Sequence, residues 1–259
     1  MMNSLHIAAT GMHSQQHTID VIANNLANMN TSGYKKTRVG FEDLMYSQIA
    51  RNNGLLGATG TSMRLGMGAG VASSNKVFIE GDIRTTDNPL DMAIRGDGFF
   101  EVLLPDGSQA YTRTGTFQID AEQMLVTSDG YLVNPMISVP SDTEELLVGA
   151  DGTVLARLAG DDEPTQIGQI ELARFVNASG LDPIGDNLYR PSHLSGDAIY
   201  AMPGEEGAGL VAQGFIETSN VQLVEELTQL MLAQRAYEVN SKVIQAADQL
   251  LGIINNLRR

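Results

Sequence analysis

Hydrophobic residues recur every seven positions at both ends of the chain and alternate over short distances between them, so two kinds of structure are written into one sequence. From Asn3 to Asn30 there is no proline, and Gly11 is the only glycine. Leu5, Met12, Ile19 and Leu26 recur every seven residues, and Ala8, Gln15, Ile22 and Met29 follow each of them by three. That is an a/d heptad over four repeats, the pattern of a helix offering one narrow stripe to a partner helix. At the rise of an α-helix it is roughly 40 Å long. Asn3 or Ser4 can cap its start, and Asn30-Thr31-Ser32-Gly33 supplies the stop signal.

The C-terminal end has the same period. Leu223, Leu230, Tyr237, Ile244 and Leu251 recur every seven residues, while Ala233, Ala247 and Ile254 fall three after three of them and Leu227 widens the stripe. Thr218 and Ser219, ahead of Asn220, form a candidate N-cap region, and Gly252 is the only glycine or proline between there and Arg259. Two amphipathic helices covering an ordinary core would also satisfy this pattern. The length of the stripes, their narrowness and their terminal placement favour pairing of the helices in a coiled-coil-like manner.

Between them the pattern is β. Asp97-Gly98, Asp106-Gly107, Asp129-Gly130 and Asp151-Gly152 are turn dipeptides set between short apolar or alternating runs. Phe99–Leu104 is expected to pair with Gln109–Arg113 across Pro105-Asp106-Gly107, and Thr116–Asp120, Met124–Thr127 and Tyr131–Val133 to continue a meander. Leu146–Gly149, Thr153–Leu158 and Ile167–Phe175 complete the expected strands. Asn52–Ser74, rich in Gly, Asn, Ser and Thr, reads as an extended or flexible stretch, with Gly180–Gly209 as its counterpart on the way out. The expected class is α+β. Residues 1–33 and 218–259 form a terminal helical domain, and 76–194 a central all-β domain of short antiparallel strands and hairpins. Residues 34–75 and 195–217 connect them, with a Gly-rich extension at 47–70.

Charge sharpens this division. The 259 residues carry a formal charge of −15. Residues 1–50 hold three bases and three acids, and residues 215–259 hold four bases and five acids, so the middle carries −14. Such acidity argues against nucleic acid, whose phosphates need clustered Lys and Arg. An acidic middle suits a surface facing water, and near-neutral ends suit surfaces that pack on copies of themselves. No cysteine is present, which excludes disulfides, thiolate metal sites and a Cys nucleophile. No apolar run of about 18 residues exists to span a membrane. The segment MMNSLHIAATGMHSQQ lacks Lys or Arg ahead of an apolar core and is not expected to be a cleavable secretory signal.

Candidate chemistry is sparse. His13 and His17 have the four-residue spacing of a metal pair, but no Glu lies between them and no third ligand is evident. Gly66, Gly68 and Gly70 resemble part of a nucleotide loop without its third spaced glycine, and Lys76 does not fit a Walker pattern. Arg95-Gly96-Asp97 spells an integrin-binding tripeptide and equally an ordinary turn ahead of Phe99-Phe100. No active site, cofactor or metal is expected. An enzyme and a surface adhesin remain the rival classes.

Several words in order carry a resemblance. Ala23-Asn24-Asn25-Leu26-Ala27-Asn28 followed by Thr31-Ser32-Gly33-Tyr34-Lys35 resembles the N-terminal signature of the bacterial flagellar rod and hook family. Glu217-Thr218-Ser219-Asn220-Val221 and Gln234-Arg235-Ala236-Tyr237-Glu238-Val239-Asn240-Ser241-Lys242 resemble its C-terminal signature. Ile94-Arg95-Gly96-Asp97-Gly98-Phe99-Phe100 and Tyr111-Thr112-Arg113-Thr114-Gly115-Thr116-Phe117 look like its central strands. Ser47 to about Gly70 resembles the extension that marks the distal-rod branch, another rod or hook member being the nearest alternative. Met29 and Asn30 depart from the signature's tail.

The resemblance implies a helical inner tube made from both termini, with the β middle outside it. It implies export through the flagellar type III apparatus without a cleaved signal, and polymerisation in the periplasm into a hollow shaft that carries torque and passes export substrates. The implied partners are further copies of the chain, proximal rod proteins, the hook protein and the rod-surrounding ring (bushing) proteins. The expected assembly residues are Leu5, Met12, Ile19, Leu26, Asn24, Asn25, Asn28, Leu223, Leu230, Tyr237, Ile244 and Leu251. Leu55, Gly57, Leu65 and Gly66 are expected to serve rod stiffness.

Overall fold

A computed structural model describes residues 2–44, 46–49, 63–159 and 163–257, which fall into two compact units. One comprises Met1–Ala27, Thr37–Asn75 and Gln222–Arg259, and the other Asn28–Lys36 and Lys76–Val221. In the first unit, α1 (Met2–Ala27) and α2 (Leu223–Leu257) are the two long helices. β1 (Thr37–Asp43), β2 (Tyr46–Ile49), β3 (Met63–Gly66) and β4 (Ala69–Lys76) accompany them. β1 pairs with β4, and β2 with β3.

The expected helices are present, with shifted edges. Helix α1 ends at Ala27, three residues before the expected stop. The chain turns through Thr31 N–H to the Asn28 carbonyl at 3.1 Å and reaches Gly33 at φ +70°. Helix α2 begins at Leu223, because Thr218 and Asn220 do not cap it. Thr218 Oγ donates to the Asp82 carbonyl at 2.8 Å, and the Asn220 amide donates to the Val77 carbonyl at 2.8 Å. Ser219 Oγ accepts from Val221 N–H at 3.3 Å, short of the helix. The side chains of Asn3 and Ser4 lie outside the described residues.

The extension is partly strand. Tyr46 pairs with Gly66, Ser47 with Leu65 and Ile49 with Met63, so the arms of the stretch form an antiparallel ladder rather than unpaired coil. Gly68 and Gly70 are not spacers. A Cβ on Gly68, at φ +108°, would come within 2.2 Å of Thr10 Oγ1 on α1. Leu55 and Gly57 lie outside the described residues.

The second unit is β throughout. Its strands are β5 (Ile83–Thr85), β6 (Met92–Arg95), β7 (Phe100–Leu103), β8 (Gln109–Thr112), β9 (Phe117–Ile119), β10 (Leu125–Thr127), β11 (Leu132–Asn134) and β12 (Thr143–Val148). They continue with β13 (Thr153–Leu158), β14 (Thr165–Gln169), β15 (Leu172–Arg174), β16 (Asp182–Gly185), β17 (Leu188–Arg190), β18 (Ile199–Ala201), β19 (Leu210–Gln213) and β20 (Phe215–Glu217). One sheet of seven strands has the order β16-β17-β8-β7-β11-β10-β9, and β12-β13-β14 make a second of three. The pairs β15-β18, β19-β6 and β20-β5 complete the unit.

The Pro105-Asp106-Gly107 hairpin forms as expected, with Phe100 opposite Thr112 and Gly107 at φ +79°. The meander does not simply continue from it. β9, β10 and β11 pair in sequence, and β11 then returns to β7, with Val133 opposite Val102. Ile167–Phe175 is two strands in different sheets, because β14 pairs with β13 and β15 with β18. The segment Gly180–Gly209 likewise contains β16, β17 and β18 rather than plain loop. Arg95-Gly96-Asp97 is a turn between β6 and β7, strands of different sheets, with Gly96 at φ +104°.

Burial explains the arrangement. Met92, Ile94, Phe100, Phe117, Leu125, Val133, Ile170 and Leu172 pack in one cluster, each almost fully buried, with the Phe100 and Phe117 rings edge to face at 5.1 Å. A second cluster gathers Phe99, Tyr111 and Tyr189 with Phe78 and Phe175 against it. Each such ring stabilises by about 2–3 kcal/mol through area alone, and edge contacts add to that. With no Trp available, these Phe and Tyr rings carry the bulk of the aromatic packing.

Candidate functional site

Two sets of residues stand out, one in each unit. In the helical unit, α1 and α2 pack on each other. Ala8 and Ile22 are buried, as are Ala233 and Ala247 on α2. Leu5, Met12, Ile19 and Leu26 are half-buried, and so are Leu230, Ile244 and Leu251. Leu223 and Tyr237 remain 43% and 40% exposed.

The direction of pairing follows from one hydrogen bond and one close approach. Asn25 Nδ2 donates to Glu226 Oε2 at 3.3 Å. Fourteen residues back along α1, a Cβ on Gly11 would come within 2.9 Å of the Asn240 amide, fourteen residues forward along α2. The helices are therefore antiparallel, and Gly11 has no side chain because Asn240 occupies that space. Glu226 and Asn240 were not among the expected site residues. Each nevertheless follows a stripe member, Leu223 or Tyr237, by three, so the heptad itself marks them as polar members of the same face.

Asn25, 2% exposed, joins α1 to both Thr37 and Glu226. Its amide donates to the Thr37 carbonyl at 3.0 Å and accepts the Thr37 N–H at 2.9 Å, so it copies a backbone pair and fixes β1 to α1. Glu226 lies in the first turn of α2, where the helix dipole favours a carboxylate. Asn24 is exposed, and Asn28 accepts from Thr31 Oγ1 at 3.3 Å in the turn after α1. Leu65 and Gly66 sit in β3, opposite Ser47 and Tyr46.

The β unit contains a buried ionic clasp that sequence reasoning missed. Lys35 Nζ binds the Glu217 carboxylate and donates to the Ile79 carbonyl at 2.7 Å. Arg113 Nη1 lies 3.4 Å from the other oxygen of Glu217, and its Nη2 donates to the Gly96 carbonyl at 2.7 Å. Gly81 N–H donates to Glu217 Oε1 at 2.9 Å. The side chains of Lys35 and Glu217 are wholly buried and that of Arg113 nearly so. Two cations thus share one carboxylate in the interior.

The surrounding signature residues hold the backbone of this clasp. Gly33 N–H donates to the Glu217 carbonyl at 2.8 Å, and a Cβ on Gly33 would come within 2.7 Å of Thr114 N. Lys36 N–H donates to Asn220 Oδ1 at 2.7 Å. The Lys76 ammonium lies 4.0 Å above the Tyr34 ring and donates to the Lys35 carbonyl at 2.9 Å. Burial holds the pKa of Lys35 below the usual lysine range, opposed by Glu217, and burial lowers that of Lys76. A lysine of lowered pKa can serve as a nucleophile, but Lys35 is enclosed and paired, so it holds chain segments together. Burial first of all pushes the Tyr111 and Tyr189 hydroxyls above the usual tyrosine range. Among the described residues no group of His, Asp and Glu is placed to hold a metal ion, and no helix is long and apolar enough to cross a membrane.

Comparison with known proteins defines the class. Residues 5–35 match the family described as flagella basal body rod protein, 93–156 the flagellar hook protein FlgE/F/G D1 domain, and 212–257 the flagellar basal body rod FlgEFG protein C-terminal family. The clasp takes one residue from each: Lys35, Arg113 and Glu217. The chain is 45% identical to the flagellar basal-body rod protein FlgG of Borreliella burgdorferi, with all of both chains covered. It is 44% identical to the FlgG of Caulobacter vibrioides over 99% of this chain and all of that one, and 41% identical to the FlgG of Bacillus subtilis over the whole of both. The chain belongs to the flagellar basal-body rod protein family.

Proposed function

We propose that the protein is the structural subunit of the distal flagellar rod, polymerising into a hollow helical shaft that carries motor torque to the hook and encloses the export channel. The observation that carries this reading is identity of 41–45% with FlgG rod proteins over 99–100% of this chain. The paired terminal helices supply the material for a coiled-coil-like inner tube, and the acidic β unit suits the exterior. In this reading the neighbours are further copies of the chain, proximal rod proteins, the hook protein and the surrounding ring proteins. The chain reaches the periplasm through the type III export apparatus.

No catalytic role is assigned. The recess beside the clasp is about 200 Å³ and lined by Phe78, Phe99, Phe175, Asp97, Arg113 and Arg174. The test is complementation of a rod-deficient strain that lacks its distal rod subunit. Restored swimming, with the protein present in isolated basal bodies, is expected. Absence of the protein from basal bodies of complemented cells would overturn the reading.

A further inference from the structure

The recess beside the clasp is charged in the opposite sense to its surroundings. The middle of the chain carries −14, yet the recess sets two guanidinium groups, Arg113 and Arg174, against the single carboxylate of Asp97. Behind Arg113 the clasp adds Lys35 and Glu217, so three cations face two anions there. The donors of the two arginines are also not all taken. Arg113 reaches the Ile94 and Gly96 carbonyls and Glu217 through its terminal nitrogens, while its buried Nε has no partner among the described residues. Arg174 donates through Nη1 to the Glu206 carbonyl, a neutral acceptor, and forms no ion pair among the described residues. A Cβ on Gly207, at φ +78°, would come within 3.3 Å of Arg174 Nη1, so the bare turn gives this side chain its place. Both cations are thus positioned before any ligand arrives.

The walls are aromatic. Phe99 stands edge to face with Phe78 at 5.3 Å and with Phe175 at 5.7 Å, and the Arg113 guanidinium lies 5.3 Å from the centre of the Phe99 ring. A flat apolar body against these rings, with an anionic group turned to the guanidinium groups, is what such a lining complements. The rim is apolar and open to water. Val176, in the lining itself, is 85% exposed; Leu194, whose carbonyl accepts the Asn177 amide at 3.2 Å, is 72% exposed; Ile79, next to Phe78 in the chain, is 66% exposed.

We propose that the recess is a binding site for a carboxylate carried beside an aromatic ring, presented by an extended segment of another polypeptide. The carboxylate meets Arg174 and the positive excess around Arg113, and the ring extends the edge-to-face set of Phe78, Phe99 and Phe175. The rim decides the source. A free aryl acid fills about 200 Å³ and leaves Val176, Leu194 and Ile79 in water, whereas a chain running on from the ring covers them. Asp97 decides the charge. It opposes a doubly charged phosphate more than a single carboxylate, and the aromatic walls offer a phosphate nothing to contact.

The test is ligand-observed saturation-transfer NMR on the purified full-length chain at neutral pH. The probes are acetyl-Phe-Glu-amide and acetyl-Glu-Phe-amide, their Gln counterparts, and phenylacetate. At least one acidic dipeptide is expected to bind about tenfold tighter than its Gln form, the worth of one charge-assisted hydrogen bond, and tighter than phenylacetate. Arg174→Gln, which lies outside the clasp, is expected to weaken that binding by about tenfold, and Arg174→Lys to restore part of it. Asp97→Asn removes a like charge and is expected to tighten it by about threefold. Near-ultraviolet circular dichroism is expected to be the same in all three variants. No saturable binding by either acidic dipeptide, equal binding by the Gln forms, or weaker binding to Asp97→Asn would overturn the site. Phenylacetate binding as tightly as both dipeptides would assign the recess to a free aryl acid and overturn the polypeptide source. None of these results bears on the rod reading, which is tested by complementation.

Discussion

Removing the anion of the clasp is expected to cost far more than removing one of its cations. Glu217→Gln preserves shape and one acceptor oxygen but leaves Lys35 and Arg113 as two buried cations with no counter-charge. At 3.4 Å the gross attraction of Arg113 to Glu217 is on the order of 5 kcal/mol at an effective dielectric of 20, and burial of both charges offsets much of it. Breaking such a pair from one side typically costs about 3–5 kcal/mol. Lys35→Met, by contrast, leaves Glu217 balanced by Arg113 and still accepting the Gly81 N–H, while the thioether fills the space of the lysine stem. Its cost is one of the carboxylate's three partners and one of the two donors to the Ile79 carbonyl, which keeps the Asn220 amide at 3.1 Å, about 1–3 kcal/mol in all. Urea unfolding of the full chain, followed by near-ultraviolet circular dichroism of the Tyr111 and Tyr189 cluster, measures both. Equal losses for the two variants, or a larger loss for Lys35→Met, would refute the charge imbalance as what governs the clasp.

Three further outcomes follow from the same geometry. Asn25→Asp sets a second carboxylate against buried Glu226 and is expected to cost about 3 kcal/mol of helix-pair stability at neutral pH, recovered below about pH 4 as the introduced aspartate protonates; a pH-independent loss of far-ultraviolet signal would count against it. The pKa of Lys35 is lower folded than unfolded, so the unfolded chain holds more protons as pH rises toward 10.5, and stability from this group grows with pH in that window. Relative to Lys35→Met, the wild-type urea midpoint is therefore expected to rise between neutrality and about pH 10, and a falling difference would reverse the argument. Deleting residues 47–66 removes β2 and β3 but spares Gly68 against Thr10, so the near-ultraviolet melt is expected to stay unchanged while rods become curved or unstable; straight rods would show that the stretch does not set stiffness.

What was legible in the sequence was what is periodic. The heptads placed α1 and α2 within a few residues, and the alternation with Asp-Gly turns placed β7, β8, β10 and β13. Sheet order was not legible, because β11 returns to β7 over three intervening strands, and no local signal says so. Ile167–Phe175 reads as one strand, yet it is divided between β14 and β15, with Ile170 between them buried in the core. The clasp was hidden for a different reason. Lys35 and Glu217 are 182 residues apart, and charged side chains are ordinarily solvated, so nothing in composition points to their burial together. The signature words around Gly33-Tyr34-Lys35 and Glu217-Thr218-Ser219-Asn220 were visible as words. Their role was not, and it is intrachain: they tie the entry of the β unit to its exit.

Symmetry limits how the exposed apolar row of α2 (Leu232, Val239, Val243, Leu250 and Ile253) could be covered in the proposed rod. An interface in which α2 met α2 through the same row on both sides would be isologous, and it would close as a dimer. A shaft that extends needs a heterologous contact, so in the proposed rod the apolar row of α2 is expected to meet a different face of its neighbour. Helix α1 offers such a face. Ala9, His13, Gln16, Asp20, Ala23 and Ala27 are exposed along it in alternating steps of four and three, with small residues at three of the six positions. Large side chains of α2 set against alanines allow two helices to approach closely, and Asp20 can meet Lys242 or Arg235 at the flank of the seam. Disulfide mapping in isolated basal bodies tests this directly. Val243→Cys combined in turn with Ala9→Cys, Gln16→Cys and Ala23→Cys is expected to give linked ladders of many subunits for at least one pair, because each subunit then both donates and receives. Val243→Cys alone is expected to give none. Efficient dimers from Val243→Cys alone, with no ladder from any pair, would mean that α2 meets α2, and the heterologous packing argued from the two helix faces would be wrong.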